Sequence, residues 1–195
     1  MNTPNSTLAQ MARESLSGKW GLAVLATLVY LIVITGVQLL NEIDSFLAIV
    51  SIIIAGPMAL GYTSFSLNIS RNKEAMVEDV FSGFQNFGTS LGAYLLMLIF
   101  ILLWSLLLII PGIIAALSYS MTFYILADDP SIKPMDAIDK SKAMMQGNKW
   151  KYFLLNLRFI GWAILCLFTF GIGFLWLIPY IQISVAKFYD DIKQS

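Results

Sequence analysis

Residues 91–127 run without a single charge, and residues 152–189 hold only Arg158 and, near the end, Lys187. A helix needs roughly 20 apolar residues to cross the hydrocarbon core of a bilayer. Each of these runs is therefore long enough for two crossings joined by a tight turn. In the first run the break is expected between Trp104 and Gly112, with Pro111-Gly112 its strongest marker, and in the second at Gly171-Ile172-Gly173. Residues 20–40 and 46–69 supply two further apolar stretches. The expected fold is thus all-α and integral to a membrane, with six transmembrane helices as three out-and-back hairpins. None of the runs alternates polar and apolar residues, which excludes the strands of a membrane β-barrel.

Composition points the same way. Hydrophobic residues make up 58% of the 195 and charged residues 12%, against about 25% charged in a soluble domain. Disorder is excluded by the hydrophobicity. A balance of 12 Lys and Arg against 12 Asp and Glu leaves no basic excess for nucleic acid. With no histidine and one cysteine, Cys166, the chain lacks the usual metal ligands and the commonest general base, so no cofactor is expected.

The basic residues divide by loop. Arg13 and Lys19 precede the first span, Arg71 and Lys73 follow the second, five lysines from Lys133 to Lys151 follow the fourth, and Lys187 and Lys193 close the chain. The expected turns at 41–45, 104–112 and 171–173 have none. The positive-inside rule then puts both termini in the cytoplasm. No cleavable signal is expected, because the first 18 residues are polar and the first apolar run has no small-residue cleavage pattern. Leu8, Met11, Ala12 and Leu16 fall at helical spacing and predict a short amphipathic helix on the membrane surface.

The hairpins also share a pattern. Gly18, Gly83 and Gly147 stand 65 and 64 residues apart, each after a short amphipathic segment that it is expected to cap. Each returning stretch carries one proline, Pro57, Pro111 or Pro179, with Phe65, Tyr119 or Phe188 eight or nine positions later. The spacing predicts a single membrane domain over 1–195 built of three parallel repeats, about 8–70, 75–128 and 134–190, around a pseudo-threefold axis. In the loop after the fourth span, Pro134 suits the first turn of a helix ended by Gly147. Met135, Ile138, Met145 and the stem of Lys142 are expected on one face of it.

The run Ser118-Tyr119-Ser120-Met121, then Tyr124 to Pro130, then Asp136-Ala137-Ile138 with Ser141-Lys142, Met145 to Lys151, Phe159 to Trp162, Gly171-Ile172-Gly173 with Pro179-Tyr180, and finally Phe188-Tyr189 resembles an uncharacterised bacterial membrane family, domain-of-unknown-function family 975. The match is densest from about residue 111 onward; Leu16, Gly18 and Trp20 anchor it in the first half. The resemblance implies a small polytopic protein of the bacterial cytoplasmic membrane and carries over no catalytic residue. More distantly, the chain is similar to the membrane portion attached to some glycerophosphodiester phosphodiesterases. Their soluble catalytic domain has no counterpart here, so their activity does not carry over.

Few polar residues interrupt the spans. Arg158 lies seven residues past Lys151, about 10 Å along a helix. An arginine there either pairs with an acid at a neighbouring span end (Asp128, Asp129, Asp190 or Asp191), snorkels to the headgroups, or contacts a ligand. Asp128 and Asp190 are the favoured acceptors. Asn156 and Gln182, with Gln38, Asn68, Thr169 and Ser184, are expected as hydrogen-bonding glue between helices. Lys149 and Trp150 suit a membrane interface with anionic headgroups. No acid cluster and no serine with a base nearby marks a catalytic centre. The expectation is a non-enzymatic membrane protein, either a transport or lipid-binding module with its site near Arg158, or a scaffold docking a partner protein through its cytoplasmic helices. A polar cavity open to one face would favour the first, and a sealed bundle with an apolar patch at residues 135–145 the second.

Overall fold

A computed structural model describes residues 3–43 and 48–194. The described chain is helical, and no strand occurs among these residues. Helix α1 covers Asn5–Leu16, α2 Trp20–Ile43 and α3 Ala48–Ser70. A 3₁₀ helix, Val77–Asn86, runs straight into α4, Phe87–Leu107. Then come α5 (Ile109–Tyr119), α6 (Thr122–Asp128), α7 (Pro134–Met144), α8 (Lys149–Leu167) and α9 (Phe174–Lys193). Five stretches are long and apolar enough to cross a membrane: Trp20–Leu39, Ile49–Ser70, Val77–Leu107, Ile109–Asp128 and Lys149–Leu167. Helix α9 is not among them, because Lys187, Asp190, Asp191 and Lys193 crowd its last two turns.

The breaks have identifiable causes. The chain turns at Leu108, whose extended backbone (φ −163°, ψ 148°) separates α4 from α5, and Pro111 then occupies the first turn of α5, where its missing N–H costs nothing. Six residues between α8 and α9 turn the chain at Gly171 (φ +85°). The turn expected at 41–45 falls in part at 44–47, outside the described residues. A further interruption was not legible in the sequence: α5 ends at Tyr119, and Ser120 and Met121 turn before α6 begins. Ser141 on α7 repairs it. Its Oγ accepts the Met121 N–H at 3.2 Å and donates to the Ser118 carbonyl at 2.8 Å, fully buried.

Packing sorts the helices into an inner and an outer set. About half of α3 and of the α5–α6 stretch is buried, against a fifth or less of α2, α4 and α8. Helix α3 packs on both α6 and α9. Each outer helix lies against two inner ones: α2 on α3 and α9, α4 on α3 and α5, α8 on α9 and α5. The short amphipathic segments fill in behind, α1 on α9, the 3₁₀ helix on α3, and α7 on α4 and α6. Apolar burial drives this: Leu8, Ala12 and Leu16 of α1 and Ile138 of α7 are 0–1% exposed.

Two sequence expectations change at this point. Gly18 and Gly147 do close α1 and the α7 turn with left-handed backbone (φ +75° and +76°). Gly83 does not; it sits inside the 3₁₀ helix and lets it touch α3. A Cβ on Gly83 would lie 2.0 Å from the Pro57 carbonyl oxygen, and one on Gly61 2.0 Å from that of Val80. The face expected on α7 also differs. Ile138 and Met145 are buried, but Met135 is exposed and Ala137 and Ser141 take its place.

Replacing Gly83 by Ala forces this contact apart, so it is expected to cost on the order of 1–3 kcal/mol or more. Gly88→Ala in α4, where a Cβ meets nothing within 4 Å, should be neutral or stabilising by up to about 1 kcal/mol. Thermal unfolding of the two variants in detergent compares them; equal losses would mean the 3₁₀–α3 contact is not as close as described.

Candidate functional site

The inner helices meet at an ion cluster built from their ends. Arg71 follows α3 directly, Asp128 ends α6, and Asp190 lies in the last turn of α9. The Arg71 guanidinium grips Asp128 in a two-pronged contact, Nη1 to Oδ1 at 2.5 Å and Nη2 to Oδ2 at 3.0 Å. Its Nη2 and Nε also donate to Asp190, at 2.6 and 3.2 Å. Asp128 further accepts from Lys193 Nζ at 2.6 Å and Tyr189 Oη at 2.9 Å. The two carboxylates raise the affinity of Arg71 for its proton still further. A second pair joins α8 to α9, Lys151 to Asp191 at 2.7 Å, and Thr3 at the head of α1 donates to the same carboxylate.

This corrects the partner expected for Arg158. Asp128 and Asp190 belong to Arg71, which the sequence offers only as a loop charge. Arg158 is exposed and pairs with neither of them. Asp129 is exposed as well and braces the turn toward α7: the Ser131 hydroxyl and amide donate to its Oδ1 at 2.5 and 3.1 Å, holding its carboxyl below the usual range. Lys149 opens α8, and Trp150 beside it stands exposed and stacks on Phe153 with ring centres 5.4 Å apart. Asn156 donates to the Tyr152 carbonyl at 2.9 Å in its own helix, whereas Gln182 accepts from Tyr124 Oη at 3.0 Å across the bundle.

Arg158 takes part in a different structure. An open cleft of about 810 Å³ lies between α1, the start of α2, α8 and α9, with Arg13, Glu14, Trp20, Arg158 and Tyr180 in its walls. An adjoining groove of about 470 Å³ shares Arg13, Trp20, Arg158 and Tyr180 and runs on past Trp162, Cys166, Leu177 and Trp176 to Gly173 in the α8–α9 turn. Neither Arg13 nor Arg158 makes a hydrogen bond or ion pair among the described residues, in contrast to Arg71. The site therefore joins a polar cleft, with two arginines against one carboxylate, to a groove that is mainly aromatic and aliphatic. Arg13 was read from the sequence only as one more charge on the basic side. Nothing local signals that it shares a cleft with Arg158, because α1 and α8 lie far apart in the chain and meet only in the folded bundle. Among the described residues no group of His, Cys, Asp or Glu is arranged to hold a metal ion.

The family described as "Protein of unknown function (DUF975)" matches residues 1–115 and 105–195, which together span the whole chain. The chain belongs to this family. No curated protein and no solved structure matches it.

A double-mutant cycle tests the ion cluster. Arg71→Gln should cost between the ~1 kcal/mol of an exposed pair and the ~3–5 kcal/mol of a buried one, since Arg71 and Asp128 keep 24% and 13% of their side-chain surface exposed. Its effect should be strongly coupled to that of Asp128→Asn. Arg158→Gln should be additive with Asp128→Asn; coupling there would restore the pairing read from the sequence.

Proposed function

We propose that the protein is a non-enzymatic integral protein of the bacterial cytoplasmic membrane, and that it binds an anionic lipid in the groove headed by Arg13 and Arg158. One observation carries this reading: two guanidiniums without protein partners among the described residues stand in a polar cleft with a single carboxylate, Glu14, and the groove that runs on from them is walled largely by aromatic and aliphatic side chains. A guanidinium offers five donors in a planar fork that matches a phosphate. Two unpaired guanidiniums against one carboxylate, Glu14, leave the cleft with a positive excess, and a phosphodiester headgroup would accept from them while its chains lie along Trp162, Leu177 and Trp176. The alternative, docking of a partner protein through an apolar face of α7, is disfavoured because Ile138 and Met145 on that face are covered by the bundle.

The same proposal has the chain crossing the membrane six times, as three hairpins around a pseudo-threefold axis, with both ends on the basic, cytoplasmic side. The cyclic packing of outer helices on inner ones supports it, as does the left-handed backbone that Gly18 and Gly147 share after α1 and α7. The sixth crossing is α9, whose charges all lie in its last two turns.

For the lipid, the purified protein in maltoside detergent is titrated with phosphatidylglycerol or phosphatidylcholine and its unfolding temperature followed. Wild type should gain more from phosphatidylglycerol. The Arg13→Gln/Arg158→Gln double variant should lose that difference with little change in its lipid-free midpoint. Equal gains from both lipids in wild type, or an unchanged difference in the variant, would overturn the lipid reading. For the topology, single cysteines in a Cys166→Ser background should be labelled by an impermeant reagent from outside at Ile172 and not at Lys140. The reverse pattern would sink it.

A further inference from the structure

A separate, partly open cavity lies where α2, α3, α6, α8 and α9 converge. It holds about 270 Å³, room for roughly nine waters at about 30 Å³ each. Its wall brings together Tyr30, Tyr62, Tyr124 and Tyr152, with the amides of Asn156 and Gln182. None of the described residues in the wall is charged.

The rings are held in place. Tyr30 and Tyr62 stack with centres 4.6 Å apart at 20°. The Tyr62 hydroxyl shares a 2.7 Å hydrogen bond with Thr27, and that of Tyr124 donates to Gln182. Tyr124 in turn stacks on Tyr189 at 5.5 Å. Ser120, in the interruption between α5 and α6, also lines the space. Irregular backbone within a membrane-crossing stretch is tolerated where it is buried in protein or lines a cavity, so the break and the cavity account for each other.

This lining selects among ligands. An anion would meet four tyrosines and no cation. A purely apolar guest would leave the amide and hydroxyl groups without partners, at a cost in a low-dielectric site. A compact cation suits a lining of tyrosine rings with phenolic and amide oxygens, the side chains from which sites for quaternary ammonium groups are built. We propose that this cavity is a binding site for a small organic cation bearing a quaternary ammonium group. The proposal stands apart from the lipid groove, with which it shares no lining residue.

The test compares choline with its uncharged carbon isostere, 3,3-dimethylbutan-1-ol, by titration calorimetry. It uses the full chain in maltoside detergent free of choline lipids, at constant ionic strength. Choline should bind saturably and the isostere roughly tenfold more weakly or not at all, since only the charged group gains from the rings. Tyr30→Phe should keep choline binding and Tyr30→Leu should weaken it. Equal binding of the two compounds, no saturable choline binding, or unchanged affinity in a folded Tyr30→Leu protein would each overturn the proposal. The wild-type comparison decides even if Tyr30→Leu does not fold. The Arg13→Gln/Arg158→Gln protein should still bind choline, so failure of the groove reading and failure of this one are distinguishable.

Discussion

The rest of the bundle depends on how one guanidinium is satisfied. Arg71 must leave the apolar end of α3 and find acceptors, and it finds them in Asp128 and Asp190, at the ends of the other two inner helices. Its planar fork engages two carboxylates at once, which a lysine could not do with the same geometry. One side chain thereby fixes three helix ends that apolar packing alone would leave free to slide, since membrane helices gain no hydrophobic drive from meeting one another in lipid. Around that pin, Lys193 and Tyr189 take up the remaining capacity of Asp128, and Lys187 donates to the Ser70 carbonyl one residue before Arg71.

Farther along the helices, close approach replaces charge. The absent side chains of Gly61 and Gly83 let the 3₁₀ helix lie against α3 at backbone distance, the way small residues let membrane helices touch. Ser141 performs the corresponding task for α7, tying it to the orphaned backbone groups at the α5–α6 interruption. The short amphipathic segments are therefore integral to the bundle. With α1 seated on α9, Arg13 and Arg158 line the same cleft, between α1, α2, α8 and α9.

The contrast between the two arginine environments is informative. Arg71 is saturated by protein carboxylates, whereas Arg13 and Arg158 share a cleft with no such partner among the described residues. The cavity where α2, α3, α6, α8 and α9 converge is different again, with four tyrosines and two amides around a small space.

The sequence by itself determined the apolar runs, their division near Trp104–Gly112 and at Gly171–Gly173, the helix beginning at Pro134, and the family. These depend on hydropathy and on local backbone preferences, which act within a few residues. It also singled out Asp128, Asp190 and Arg158 as charges needing an explanation. Tertiary structure alone decided who satisfies whom. Arg71 and not Arg158 reaches the two aspartates, Gly83 serves contact and not capping, and Met135 is left outside. The meeting of Arg13 with Arg158, and of Tyr30 with Tyr62, Tyr124 and Tyr152, joins residues far apart in the chain. Hydropathy and spacing cannot supply such juxtapositions, because they depend on which helix packs against which.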